Sequence, residues 1–216
     1  LMFGRVGADN MSDKSSRVAD ALVRSGALKF GTFKLKSGVM SPYYIDLTWL
    51  LSSPGDFKCI VNEIVDAIKE IQSSRRVDKL ASIELKGALL LPSIANRLKL
   101  PCLVVRKQKK GYGVIGRIAG GEVKKGERIL FFDDVVSSGE SKLEGISPLE
   151  KLGAKVELVM VVVDREQGGK EKLEKHGYEL RALTTISALA DALYQSEKIT
   201  KEQANNIVNY TKEAAI

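Results

Sequence analysis

Two adjacent carboxylates, Asp133 and Asp134, follow the apolar run of RILFFDDVVSSGES, Arg128 to Ser141. Two like charges side by side at the end of a buried strand are poor structural elements. The pair is therefore expected to serve a ligand and to contribute little to stability. Serine and glycine follow from Ser137 to Ser141, and the pattern then turns helical. Backbone N–H groups at a helix N-terminus form a ready anion cradle, to which serine hydroxyls add donors. Carboxylates accept hydrogen bonds from vicinal hydroxyls. A strand, an acidic pair, a small-residue loop and a helix in that order suit a ribose 5-phosphate group. The loop is not a nucleoside-triphosphate loop, because Lys142 follows Ser141 and no G-K-[ST] is present.

Other charges gather at predicted strand ends. KLASIEL ends at Glu84, Lys86 and Gly87, PCLVV at Arg106 and Lys107, and KVELVMVVV at Asp164 and Arg165. Open parallel α/β sheets bind ligands at the carboxyl ends of their strands. GYGVIG, Gly111 to Gly116, matches a dinucleotide fingerprint, but it follows RKQKK and runs into the non-helical RIAGGEVKKGE. A dinucleotide site needs a strand before that pattern and a helix after it, so none is expected. Arg106 to Gly121 reads instead as a long mobile loop whose Arg106, Lys107, Lys109 and Lys110 could clamp an anion on closing.

The elements that position these residues alternate along the chain. Ser12 to Gly26 reads as a helix with Val18, Ala19, Leu22 and Val23 on one face. LKFGTFKLKSG and SPYYIDL read as extended pieces, and Asp56 opens an amphipathic helix with Phe57, Ile60, Val61, Ile64, Val65, Ile68 and Ile71 in phase. Further strands are KLASIEL, PCLVVRK, RILFFDD, KVELVMVVVDR and YELRALTTI. They alternate with GALLLPSIANRL, a helix expected to bend or start near Pro92, with Gly139 to Leu152, where Gly145 and Pro148 predict a kink, and with GKEKLEKHG. Two helices close the chain, the last with a Thr200/Gln203 capping box. Val-, Ile- and Leu-rich strands between helices predict an α/β fold with a parallel sheet covered on both faces.

The 216 residues suffice for one such domain, and 44% apolar with 28% charged content is ordinary for a globular chain. Residues 1–11 are expected to be an appended or disordered extension, with 12–216 as a single domain. No signal peptide and no apolar run of membrane-spanning length are readable. Cys59 and Cys102 lack metal-type spacing and read as reduced thiols of a cytoplasmic protein. A net charge of +7 invites a nucleic-acid partner, but aromatic content is 6% and no nucleic-acid-binding signature is present. Neither a nucleic acid nor a membrane is expected as a partner.

FFDDVVSSGES resembles the phosphoribosyl-diphosphate (PRPP) motif of type I phosphoribosyltransferases. FGTFKLKSGVMSPYYIDL, RKQKKGYG and DREQGG are similar to the N-terminal signature, the catalytic loop and the substrate-side arginine segment of orotate phosphoribosyltransferases. The resemblance runs from about Val18 to the final helices. It implies a five-stranded parallel core flanked by helices, a small N-terminal hood, and a cytoplasmic homodimer with shared sites. It also implies transfer of phosphoribose from PRPP to orotate in pyrimidine biosynthesis, with magnesium brought mainly by PRPP and no dedicated metal ligands.

As catalytic residues the resemblance implies Lys110, Tyr112, Asp133 and Asp134. As PRPP contacts it implies Lys36, Lys86, Arg106, Lys107, Lys110 and Tyr112 together with Asp133, Asp134, Val135, Val136, Ser137, Ser138, Gly139, Glu140 and Ser141. Arg106, Lys110 and Tyr112 are expected to reach a neighbouring subunit's site. Tyr44, Ile45, Ser137 and Arg165 are expected to frame orotate. The chain departs from the common family pattern in four respects. Tyr112 stands where many members carry histidine, and Gly111 where many carry aspartate. Leu90 replaces a proline after the pyrophosphate loop, and Ser137 and Ser138 replace threonines. A purine phosphoribosyltransferase and a PRPP-binding transcription regulator of the same fold are the alternatives.

Overall fold

The computed structural model describes residues 5–34, 38–108 and 115–214. Helix α1 (Arg5–Arg24) begins before Ser12, and Gly26, with positive φ, follows its end. Strands β1 (Leu28–Lys34) and β2 (Met40–Ile45) pair antiparallel as a two-stranded sheet, the expected hood. A short 3-10 helix, Leu47–Ser52, leads into α2 (Pro54–Gln72). The 3-10 turn has no periodic signal in the sequence; it forms because Asp46 caps it, accepting from the Thr48 N–H at 3.2 Å.

The remaining chain alternates β3 (Lys79–Ile83), α3 (Lys86–Leu98), β4 (Cys102–Val105), β5 (Ile118–Ala119), β6 (Arg128–Val136), α4 (Glu140–Lys151), β7 (Lys155–Asp164), α5 (Gly169–Lys175) and β8 (Glu179–Thr185). Helices α6 (Ile186–Gln195) and α7 (Lys201–Ala214) follow. The sheet order is β5-β4-β3-β6-β7-β8, with β4, β3, β6, β7 and β8 parallel. The short β5 is antiparallel on β4, with Ile118 opposite Val105. It returns part of the predicted Arg106–Gly121 loop to the sheet edge.

Period-two alternation divides the strand side chains between two cores. Leu80, Leu130, Phe132, Leu158 and Met160 pack with the apolar faces of α1, α2, α3 and α6. Ala81, Ile83, Phe131, Val159 and Val161 pack under α4 and α5 with Ile146, Leu149 and Leu173. The α2 face is as read from the sequence: Ile60, Val61, Ile64 and Ile68 are fully buried.

Two local readings need correction. First, β6 does not end at the acidic pair but continues through it to Val136, because Asp133 and Val136 still pair in register with Val161 and Asp164 of β7. Second, α3 runs unbroken from Lys86 with Pro92 inside it, starting where β3 ends. The glycine inside α4 has a packing cause: a Cβ on Gly145 would lie 2.5 Å from Phe131 Cζ, so only glycine lets the helix approach the sheet this closely. The Thr200/Gln203 capping box is present in full, with the Gln203 N–H donating to Thr200 Oγ1 at 3.1 Å and the Thr200 N–H to Gln203 Oε1 at 2.8 Å.

Candidate active site

The carboxyl ends of β3, β6 and β7 open into one cleft of about 550 Å³, within the usual range for small-molecule sites. Its lining brings together Ile45, Lys86, Lys107, Asp133, Asp134, Val135, Ser137, Ser141 and Arg165 from the predicted set. Asp46, Thr48 and Lys142, to which the sequence reading gave no site role, line it as well, and so does Glu84, one of the strand-end charges it named.

The acidic pair divides its labour by strand alternation. Asp133 shares the parity of Phe131 and turns towards α4. There its Oδ2 meets the Lys142 ammonium at 2.7 Å, and both side chains are almost wholly buried. Lys142 Nζ also donates to the Val135 carbonyl and to Ser141 Oγ. Asp133 Oδ1 accepts the Asp134 N–H at 2.9 Å. The first carboxylate is thus a structural centre that fixes the strand, the loop and the helix to one another. Among the described residues Asp134 has no ion-pair partner of its own, although the charge of Lys142 acts on it. Its burial, then the charge of Asp133 beside it, push its carboxyl up to about 7.

The start of α3 sits directly above this pair. A Cβ on Gly87 would lie 2.4 Å from Asp133 Oδ1 and 2.7 Å from Ser82 Oγ, so the backbone reaches the carboxylate only because residue 87 is glycine. Leu90, in place of the family's proline, is buried in the core. Glu84 Oε1 accepts the Lys107 N–H at 2.6 Å, and the Glu84 N–H donates to the Val105 carbonyl at 2.9 Å. The loop before α3 and the loop after β4 are thereby tied together. Past Lys107, Arg117 Nε donates to the Arg106 carbonyl at 3.0 Å and holds the stem of the long loop closed.

The hood contributes two grips. Asp46 Oδ1 lies 3.2 Å from the Lys86 ammonium. Burial pushes the Asp46 carboxyl up, but hydrogen bonds from Thr48 and the charge of Lys86 outweigh it and hold the group below its ordinary value. Tyr43, fully buried, accepts the Arg165 Nε–H on its hydroxyl at 2.9 Å. Its ring makes an edge contact with Tyr210 of α7, with centroids 5.9 Å apart. Tyr43 is the tyrosine that sequence reasoning missed in favour of its neighbour. β2 alternation turns Tyr43 inward, whereas Tyr44 is exposed, stacks loosely on Phe33 and lies outside the cleft lining.

Several other expected contacts also lie off the cleft. The Val136 side chain is buried in the core under α4, so only its backbone could meet a ligand. Glu140 pairs with Lys172, while Ser138, Gly139 and Arg106 are not among the lining residues. Lys36, Lys110 and Tyr112 fall outside the described residues. His176, the single histidine, closes α5 with its Nδ1 2.8 Å from the Lys172 carbonyl and is also off the cleft.

The phosphoribosyl transferase domain family model matches residues 56–195, which covers the sheet and the whole cleft floor. Orotate phosphoribosyltransferase of Pyrococcus horikoshii is 34% identical over 183 residues, 85% of this chain and 95% of that protein. This chain belongs to the orotate phosphoribosyltransferase family. Uridine 5'-monophosphate synthase of Bos taurus is 35% identical over 88% of this chain, and this chain spans 39% of that longer protein. The structure of Leishmania donovani UMP synthase superposes with a TM-score of 0.80 at 32% identity, covering 92% of this chain and 42% of that one.

Within this phosphoribosyltransferase, no group of three or more His, Cys, Asp or Glu side chains among the described residues could hold a metal ion by itself. Both carboxylates of the acidic pair line the cleft, but Asp133 is already committed to Lys142. Magnesium ordinarily binds one or two carboxylates together with substrate phosphates and water. The donor set therefore fits an ion that arrives with a diphosphate better than a resident one. Among the described residues no helix is long and apolar enough to cross a membrane.

Proposed function

We propose that this chain transfers the 5-phosphoribosyl group from PRPP to orotate, forming orotidine 5'-phosphate and pyrophosphate in pyrimidine biosynthesis. The observation that carries the reading is one cleft holding Asp134, Ser137 and Ser141 of the serine cradle, Lys86 and Arg165 together. The cradle suits the 5-phosphate and Asp134 the ribose hydroxyls. Arg165 suits the carboxylate of orotate: its Nε is held by Tyr43, which leaves the two terminal nitrogens for a bidentate pair. A purine base has no carboxylate for that arginine to meet.

In this reading the orotate ring nitrogen attacks the anomeric carbon. The C–N bond forms as the C–O bond to pyrophosphate breaks, the bonding pair leaves with the pyrophosphate, and the proton of the ring N–H is released to solvent or to the departing pyrophosphate. Negative charge grows on the leaving group, where Lys86 and Lys107 supply cations on the cleft wall. Magnesium, when bound through the diphosphate and Asp134, would supply further charge neutralisation there. We further propose a homodimer in which Arg106, Lys110 and Tyr112 serve the neighbouring site. The position of Arg106 off its own cleft supports this. Two free, half-buried cysteines support a reducing, cytoplasmic setting.

Initial rates with PRPP, magnesium and either orotate or a purine base test the substrate reading. Orotate alone should be consumed; turnover of a purine base at a comparable rate would overturn it. Mixing Lys110→Ala and Asp134→Asn chains tests the shared site. Each hybrid dimer should regain one intact site, and no recovery after verified subunit exchange would place the site within one chain.

A further inference from the structure

We infer that Asp46 is a positioning residue of the site, acting through Lys86: the hood carboxylate holds the ammonium on the cleft wall where a diphosphate would lie. The inference rests on the proposed function and adds a residue that carries no assigned role in it.

The geometry has three parts. Asp46 is itself fixed. Its Oδ1 accepts both the Thr48 N–H at 3.2 Å and the Thr48 hydroxyl at 2.8 Å, and the Tyr44 hydroxyl stands 3.4 Å from Oδ2. Lys86 is the movable partner: its side chain is 45% exposed against 17% for Asp46, so the pair is a rigid anion restraining a flexible cation. Both residues line the same cleft as Asp134 and Lys107. A lysine ammonium has three donors, and one given to Asp46 leaves two for a ligand. A lysine side chain loses considerable rotamer freedom on being fixed. A carboxylate that fixes it before the ligand arrives removes that cost from binding. The contact also crosses from the end of the hood to the first residue of α3 and so links the two.

A merely structural role would look different. Asp46 caps the 3-10 helix, and an asparagine there keeps an oxygen for the Thr48 N–H. Asp46→Asn thus retains the cap but removes the charge that restrains Lys86. The expected result is an unchanged melting temperature, a several-fold rise in the KM for PRPP, and a much smaller change in kcat and in the KM for orotate. Asp46→Glu, which keeps the charge, should recover part of the loss.

The deciding arm is a double-mutant cycle with Lys86→Ala. If Asp46 acts through Lys86, Asp46→Asn has no further effect on the KM for PRPP once Lys86 is gone. Independent, multiplying effects of the two substitutions would overturn the inference, as would an unchanged or lowered KM in Asp46→Asn alone. A wild-type chain that does not turn over orotate and PRPP at all would instead overturn the functional reading beneath it. Circular dichroism and melting curves on each variant identify any that fails to fold, and titration of PRPP binding by Asp46→Glu then stands in for it: wild-type-like affinity supports the inference, and affinity as weak as that of Lys86→Ala opposes it.

Discussion

Lys142 Nζ and Asp133 Oδ2 meet at 2.7 Å, with both side chains buried beneath the loop that follows β6. This buried pair changes the meaning of the acidic motif. Both carboxylates line the cleft, but Asp133 also holds the scaffold through its pair with Lys142. Removing one partner of a buried ion pair strands the other, at a typical cost of about 3–5 kcal/mol. Lys142→Met and Asp133→Asn should each destabilise the fold by that order in urea unfolding. The double variant should regain part of the loss, since neither charge is then left alone. Single variants as stable as wild type would show that the pair contributes little.

Asp134 should behave in the opposite way. Its carboxyl is raised in the folded state to about 7 from an ordinary value of 3.8. A raised folded-state value means that its contribution to stability is full below about pH 4 and is lost as pH rises through about 7. Asp134→Asn removes this titration. Relative to wild type, the variant should gain stability between pH 5 and pH 8, while kcat/KM for PRPP falls at least tenfold. Equilibrium unfolding at the two pH values checks the first claim and initial rates check the second. A variant that loses stability relative to wild type on going from pH 5 to pH 8 would contradict the assignment.

These two residues mark how far the sequence could be read. The strand, the acidic pair, the serine loop and the helix after it were legible because they are local and periodic, as was the Thr200/Gln203 capping box. The division of labour within the pair was not, because it depends on Lys142 folding back from α4 across the sheet edge. For the same reason Tyr44 was named where Tyr43 holds Arg165: the two differ only in which face of β2 they occupy, and that is set by the core beneath the hood. Asp46 lay inside a recognised motif, but its contact with Lys86 joins positions 40 residues apart and has no sequence period.

Tyr43→Phe tests the inward tyrosine. It keeps the ring against Tyr210 but removes the oxygen that accepts the Arg165 Nε–H at 2.9 Å. The KM for orotate should rise several-fold with the KM for PRPP little changed, and Tyr44→Phe should leave the KM for orotate unaltered. If Tyr44→Phe shows the orotate effect and Tyr43→Phe does not, the outward tyrosine is the relevant one.

Gly145 and Gly87 separate packing from the site. A methyl group at 145 would strike the Phe131 ring, and one at 87 would strike Asp133 itself. Overpacking of this kind costs about 1–3 kcal/mol. Gly145→Ala should lower the melting temperature but leave the kcat of the folded enzyme near wild type. Gly87→Ala should lower both, because the displaced group belongs to the cleft. Equal loss of kcat in the two variants would mean that α4 packing reaches the chemistry as directly as the start of α3 does.

The central claim is orotate phosphoribosyl transfer in the cleft between Asp134 and Arg165, and product stoichiometry tests it most directly. With PRPP, magnesium and orotate, the wild-type chain should release one pyrophosphate for each orotidine 5'-phosphate formed, and Arg165→Ala should retain PRPP binding while losing most turnover of orotate. Pyrophosphate release without orotidine 5'-phosphate, or an Arg165→Ala variant that uses orotate as well as wild type does, would contradict the account.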